Sequence, residues 1–203
     1  MRLLAPLVLL TACQSPLPSQ PRPDAGAAPS PLLDARRDTL LHPDALVRRS
    51  GARPGMVVAD LGAGPGYLTL PLARAVGPTG RVIATDVDHA ALTALAERAR
   101  GAKLFTIETR TVGSDEPGLS VASVDLALLV EVAPFLPHLT DWLVALAPSL
   151  RPGARLMVVG WRNGREGLLA AATRAGYRLV DEDRELAPTH YVVFLAPARD
   201  AGP

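Results

Sequence analysis

Cysteine is nearly missing from this chain. The single one among 203 residues is Cys13, so no disulfide can form within the chain. No Cys/His cluster has metal-ligand spacing, and no metal site is expected. The four histidines, His42, His89, His138 and His190, are scattered and read as surface or capping residues. Aromatic residues amount to 4%, which disfavours a platform on which bases stack. Charge of one sign is lacking too: the net charge is +1, with no dense Lys/Arg run. That argues against a nucleic-acid-binding surface and against nucleic acid as a partner. The apolar run Leu3 to Leu10 is broken by Pro6 and is too short to span a membrane. No internal repeats occur.

What is present fits a globular protein. Hydrophobic residues make up 48% and charged residues 20%, and the length allows one domain with a real core plus a tail. The most informative stretch is Val57-Val58-Ala59-Asp60-Leu61-Gly62-Ala63-Gly64-Pro65-Gly66-Tyr67. It reads as a buried strand, a glycine turn and a helix start. The valines and alanine suit the inside of a parallel sheet. Glycines let the backbone turn sharply and approach a ligand. The helix behind them would point its free N–H groups at that ligand. The stretch therefore reads as a nucleotide-type cofactor pocket. The bland alternative is a glycine-rich turn with no ligand. Dinucleotide loops space their glycines as GxGxxG; here the pattern is D-x-G-x-G-x-G, and Tyr67 stands where the third glycine would be. Twenty residues past Gly66, Asp86 ends a second apolar strand. An acid there accepts hydrogen bonds from ribose hydroxyls. It could instead cap the next helix, although Asp88 is better placed for that.

Strands and helices alternate along the chain. Strands are expected at Val57–Ala59, Arg81–Thr85, Lys103–Thr109, Val124–Val130, Arg155–Val159, Tyr177–Val180 and His190–Leu195. Helical stripes carry Leu68, Leu72 and Val76, then Leu92, Leu95 and Ala99, then Leu139, Trp142, Leu143 and Leu146, then Gly167 to Ala175. Leu32 to Arg49 reads as helical segments broken at His42-Pro43. Such alternation implies a doubly wound α/β fold with a mostly parallel sheet. The last two strands lack a helix between them and fit an antiparallel hairpin at or near an edge.

The D-x-G-x-G-x-G turn resembles the first motif of class I S-adenosylmethionine-dependent methyltransferases. Val82-Ile83-Ala84-Thr85-Asp86-Val87-Asp88 resembles their second motif, and Ser123-Val124-Asp125-Leu126-Ala127-Leu128-Leu129-Val130 their fourth. Leu150-Arg151-Pro152-Gly153-Ala154-Arg155-Leu156 resembles the L-x-P-G-G-x-L turn that follows, with Ala154 for the second glycine. The resemblance covers about residues 36 to 196, in one order. It implies a Rossmann-like seven-stranded sheet and S-adenosyl-L-methionine as the cofactor. It also implies that Gly62, Gly64 and Gly66 wrap the cofactor's amino-acid end and that Asp86 takes the ribose. Asp60 would hold the methionyl ammonium, directly or through water, or would only order the loop. Ser114 or Asp115 would meet the adenine, or both are plain turn residues. After the fourth strand many relatives have an acid followed by His or Tyr, as in D-V-Y-H-H-L. Here Glu131 keeps the acid, while Ala133, Pro134 and Phe135 replace the rest. Glu131 is thus the candidate catalytic residue: it could orient or deprotonate a nucleophile, or simply end its strand. The (D/N)-P-P-(Y/F) motif of amino-methylating DNA enzymes is missing. The expected acceptor is a small molecule or lipid-like, given the apolar lip at Phe135 and Leu136. The alternative is a non-catalytic S-adenosylmethionine- or nucleoside-binding module. A nicotinamide-dependent oxidoreductase is disfavoured by Tyr67. The oligomeric state stays open.

The N-terminal end reads as separate from this domain. Met1-Arg2, the apolar run and Leu10-Thr11-Ala12-Cys13 resemble a bacterial lipoprotein leader, in which the cysteine is lipidated. Residues 1–12 would be the signal peptide and 13–31, rich in Pro, Ser and Ala, a tether with no fold of its own. The domain would occupy 32–196 and a tail 197–203. This implies an extracytoplasmic protein whose membrane contact is a lipid on Cys13. A chance L-x-A-C, or a misassigned start on a cytoplasmic enzyme, is the alternative.

Overall fold

A computed structural model describes residues 35–198. Cys13 and the Pro-rich stretch lie outside the described residues. Two helices, α1 (Ala35–Leu41) and α2 (Pro43–Ser50), come first, parted at His42. Then follow β1 (Val57–Leu61), α3 (Thr69–Val76), β2 (Arg81–Asp86), α4 (His89–Gly101) and β3 (Ile107–Thr111). The second half is β4 (Val124–Val130), α5 (Leu139–Leu146), β5 (Leu150–Trp161), α6 (Arg165–Arg174), β6 (Tyr177–Asp183) and β7 (His190–Pro197).

The seven strands form one sheet in the order β3-β2-β1-β4-β5-β7-β6. β1 pairs in parallel with both β2 and β4, and β4 in parallel with β5. β7 runs antiparallel to β5 and to β6. The sheet is thus the expected Rossmann-like one, mostly parallel, with the antiparallel hairpin placing β6 at the edge.

The alternation of side chains explains the layers. Val58, Val82, Leu126 and Leu128 point to one face, where they meet Leu46 of α2 and Leu72 and Val76 of α3. Ala59, Leu61, Ile83 and Leu129 point to the other, against Trp142, Leu143 and Leu146 of α5 and Leu168 of α6. Both faces of the inner strands are covered, which is why those segments read as unbroken apolar runs. Asp88 caps α4 as expected, its carboxylate accepting from the amides of Ala90 and Ala91.

Most strands run one to three residues past their expected ends, and two start elsewhere than expected. β3 starts at Ile107 rather than Lys103, because Lys103 turns left-handed (φ 57) as the chain leaves α4. β5 starts at Leu150 rather than Arg155. Leu150 already pairs with Val124, and the register slips before Arg155 meets Leu126. Gly153, at φ 78, lies within that slip.

The order of strands positions the site. From β1 the chain moves outward through β2 to β3, then returns to place β4 on the other side of β1. Such a reversal leaves a crevice at the carboxyl ends of the strands, where doubly wound folds bind ligands.

Candidate functional site

A cavity of about 450 Å³ opens at those strand ends, and Asp60, Gly62, Gly64, Asp86, Ser114 and Glu131 all line it. Gly66 and Asp115 stand outside the lining. Gly66 packs under α4 instead: a Cβ there would fall 2.3 Å from Leu95 Cδ1. Asp115 is exposed, while its neighbour Glu116 reaches the cavity.

The glycine turn differs from expectation in what it offers. Its amides are used internally. Gly62 and Ala63 donate to the Thr85 carbonyl at 2.8 and 3.0 Å, and Gly66 donates to Ala63. Gly64 donates to Asp86 Oδ2 at 2.7 Å. These bonds knit the end of β1 to the end of β2. The turn therefore gives a ligand close backbone approach rather than free N–H groups. Gly62 is needed for the packing of the turn on Val132: its φ is +73, and a Cβ would sit 2.4 Å from Val132 Cγ2.

Two acids flank the turn in different surroundings. Asp86 accepts from Gly64 on one oxygen and from the Asp88 amide at 2.9 Å on the other. A carboxylate has about four acceptor positions, so each oxygen keeps one. Asp60 is buried, 3% exposed, and accepts from the Thr69 hydroxyl at 2.6 Å. Burial pushes its pKa up to about 6, against the Thr69 hydrogen bond and the Arg37 charge, which lower it; Asp86 raises it further. The folded chain therefore holds this proton more tightly than the unfolded chain does. Its contribution to stability is full below about pH 4 and is lost as pH rises through about 6. Denaturant melts at pH 4.5 and 7 should show that loss, and Asp60→Asn should remove it.

The other half of the cavity is built from β4, β5 and α1. Glu131 follows β4 with a left-handed backbone (φ 59), rare for a side chain of its kind. Arg37 of α1 donates twice to its Oε2, at 3.0 and 2.6 Å. His190, on β7, lies 3.1 Å from its Oε1 through Nε2, and its Nδ1 is 2.9 Å from the Thr189 hydroxyl. The Trp161 ring lies 4.2 Å from the His190 ring. The Arg37 guanidinium also sits 4.2 Å over the Tyr67 ring. The Tyr67 hydroxyl is buried and makes no hydrogen bond of ordinary length. Burial, with the Asp38 carboxylate nearby, pushes its pKa up, so it stays a phenol.

Arg37, Trp161, Glu116 and the buried His190 were not singled out from the sequence. Arg37 and Glu131 stand 94 residues apart. Only His190 left a trace: it opens the apolar run Tyr191–Leu195, an odd place for a surface histidine.

Part of this chain is similar to known proteins. Residues 59–156 match the family described as a methyltransferase domain. The nocamycin O-methyltransferase of Saccharothrix syringae is 31% identical over 108 residues, covering 53% of this chain and 39% of that protein. The ubiquinone/menaquinone biosynthesis C-methyltransferase UbiE of Shewanella halifaxensis is 32% identical over 116 residues, covering 56% and 45%. The match thus spans less than half the length of either relative. The crystal structure of a SAM-dependent methyltransferase from Aquifex aeolicus has a TM-score of 0.76 at 22% identity, over 81% of this chain and 94% of that one. Its likeness is one of fold. Family match and relatives thus show a likeness to methyltransferases centred on residues 59–156, and the solved structure shows the same fold.

Proposed function

We propose that this protein transfers a methyl group from S-adenosylmethionine to a small-molecule acceptor lying against Glu131 and the aromatic residues beside it. The observation that carries the reading is the cavity itself, with Asp60, Gly62 and Asp86 on one side and Glu131 on the other. The residues present suit this cofactor. Asp60 can face a methionyl ammonium, Asp86 keeps acceptor positions for a ribose diol, and Gly62 lets the turn pack closely on Val132 at the cavity wall. When bound, the cofactor supplies a methyl on a cationic sulfur; an acceptor lone pair bonds to that carbon as the C–S pair goes to sulfur. The chain's task is then to hold acceptor and methyl in line, which is worth about 7–11 kcal/mol of the barrier. That the relatives are named as methyltransferases of nocamycin and of ubiquinone/menaquinone biosynthesis supports a small acceptor.

Incubating the full chain with methyl-labelled cofactor and cell extract tests this. Label is expected in a low-mass organic product. Tight cofactor binding with no labelled product would favour the second reading, a non-catalytic binding module. One observation favours that reading: both Glu131 oxygens are already held by Arg37 and His190.

Cofactor affinity should depend on pH through Asp60. A cationic ligand beside it favours the carboxylate, so binding releases a proton below pH 6. Affinity should rise roughly tenfold from pH 5 to 7, and calorimetry on Asp60→Asn should show a flat profile. A lipid anchor on Cys13 is a separate part of the proposal, resting on the Leu10–Cys13 pattern alone. If it is right, Cys13→Ser moves the protein from the membrane to the soluble fraction.

A further inference from the structure

We propose that the acceptor is a neutral molecule with a flat apolar frame and a hydroxyl that donates a hydrogen bond to Glu131. This rests on the methyl-transfer reading and names the acceptor class for the same cavity. The apolar half of the argument is exposure. Phe135 is 81% exposed and Trp161 48%, and both line the cavity. Large aromatic side chains left open beside a cavity mark a binding surface for apolar ligands. Trp161 is no loose side chain, because it packs on the ring of the buried His190. Leu136 and Trp142 continue the same apolar wall. Aromatic rings prefer stacked or edge-on partners, and a flat frame provides them.

The polar half is Glu131. The Arg37 guanidinium makes two hydrogen bonds to one of its oxygens and cancels its charge. A cationic acceptor would meet a neutral pair there and gain little. A carboxylate oxygen still has a second acceptor position beyond His190. A neutral donor, a hydroxyl, fits that position. His190 and Arg37 are positioning residues in this arrangement. They hold the carboxylate still from two sides, so the donor meets a fixed oxygen.

The test is a titration of the full chain with 2-naphthol and with 2-methoxynaphthalene, followed by tryptophan fluorescence. The two probes share a frame and differ in the donor. It is run with and without S-adenosylhomocysteine, whose own binding is measured by calorimetry. Wild type should bind 2-naphthol at least tenfold more tightly. Glu131→Leu should bring the ratio close to one, and Phe135→Ala should weaken both probes alike. If Glu131→Leu fails to fold, Glu131→Gln should still lower the ratio at least threefold. Equal binding of the two probes, no binding of either at millimolar concentration, or an unchanged ratio in the folded Glu131 variant overturns the proposal. Failure to bind S-adenosylhomocysteine would instead overturn the methyl-transfer reading, since probe discrimination is also read without it.

Discussion

Asp86→Ala should lower affinity for S-adenosylhomocysteine by more than a hundredfold while the protein still folds. Asp86 is half-buried at the end of β2, with an acceptor position left on each oxygen. A hydrogen bond to a charged group contributes about 1.5–3 kcal/mol. Two such bonds to a ribose diol come to at least about 3 kcal/mol, and every 1.4 kcal/mol is tenfold. The variant also loses its hold on the Gly64 amide, so the turn itself loosens. Asp88→Ala is the control. It removes the α4 cap, at about 1 kcal/mol of stability, and should leave affinity within a few-fold of wild type. Calorimetry on both variants decides. An Asp86→Ala affinity within threefold of wild type would show that ribose recognition lies elsewhere.

Gly62→Ala should cost stability rather than affinity alone. Two penalties act at this position. A non-glycine residue at φ +73 pays about 1–2 kcal/mol. The new Cβ meets Val132 Cγ2 at 2.4 Å, and Val132 is β-branched with little freedom to turn aside. Crowding of this kind costs about 1–3 kcal/mol. A total near 3 kcal/mol lowers the melting temperature by about 10 °C in a domain of this size. The two penalties can be separated by a cycle with Val132→Ala. The double variant should recover the steric part and retain the backbone part. A melting temperature unchanged in Gly62→Ala would mean that the turn is free to move away from Val132.

The parts of the molecule legible in the sequence are those encoded by neighbours in the chain. Strand and helix periods, the glycine turn, the Asp88 cap and the acid closing β2 all lie within windows of a few residues. Their agreement is enough to specify the sheet class. What escaped was set by contacts across the fold. The donors of the glycine turn look free in sequence, yet Thr85 and Asp86 occupy them, because β2 ends beside the turn. Asp60 looks like any strand-end acid until α3 covers it with Thr69. Glu131 was visible as an acid at the end of β4. Its two partners were not, since one arrives from α1 and the other from β7. Strand boundaries failed where backbone conformation, not composition, decides: Lys103 turning left-handed and the register slip near Gly153.

The place of β7 has a consequence for assembly during synthesis. β6 is synthesised first, but among the described residues its one partner in the sheet is β7. It must therefore wait, unpaired, until the following strand emerges and inserts beside β5. His190 lies on that strand, so Glu131 has its second support only where β7 is in place. A chain cut before residue 190 would keep β1, β2 and β4 around the crevice but lose β7, and with it the His190 support of Glu131.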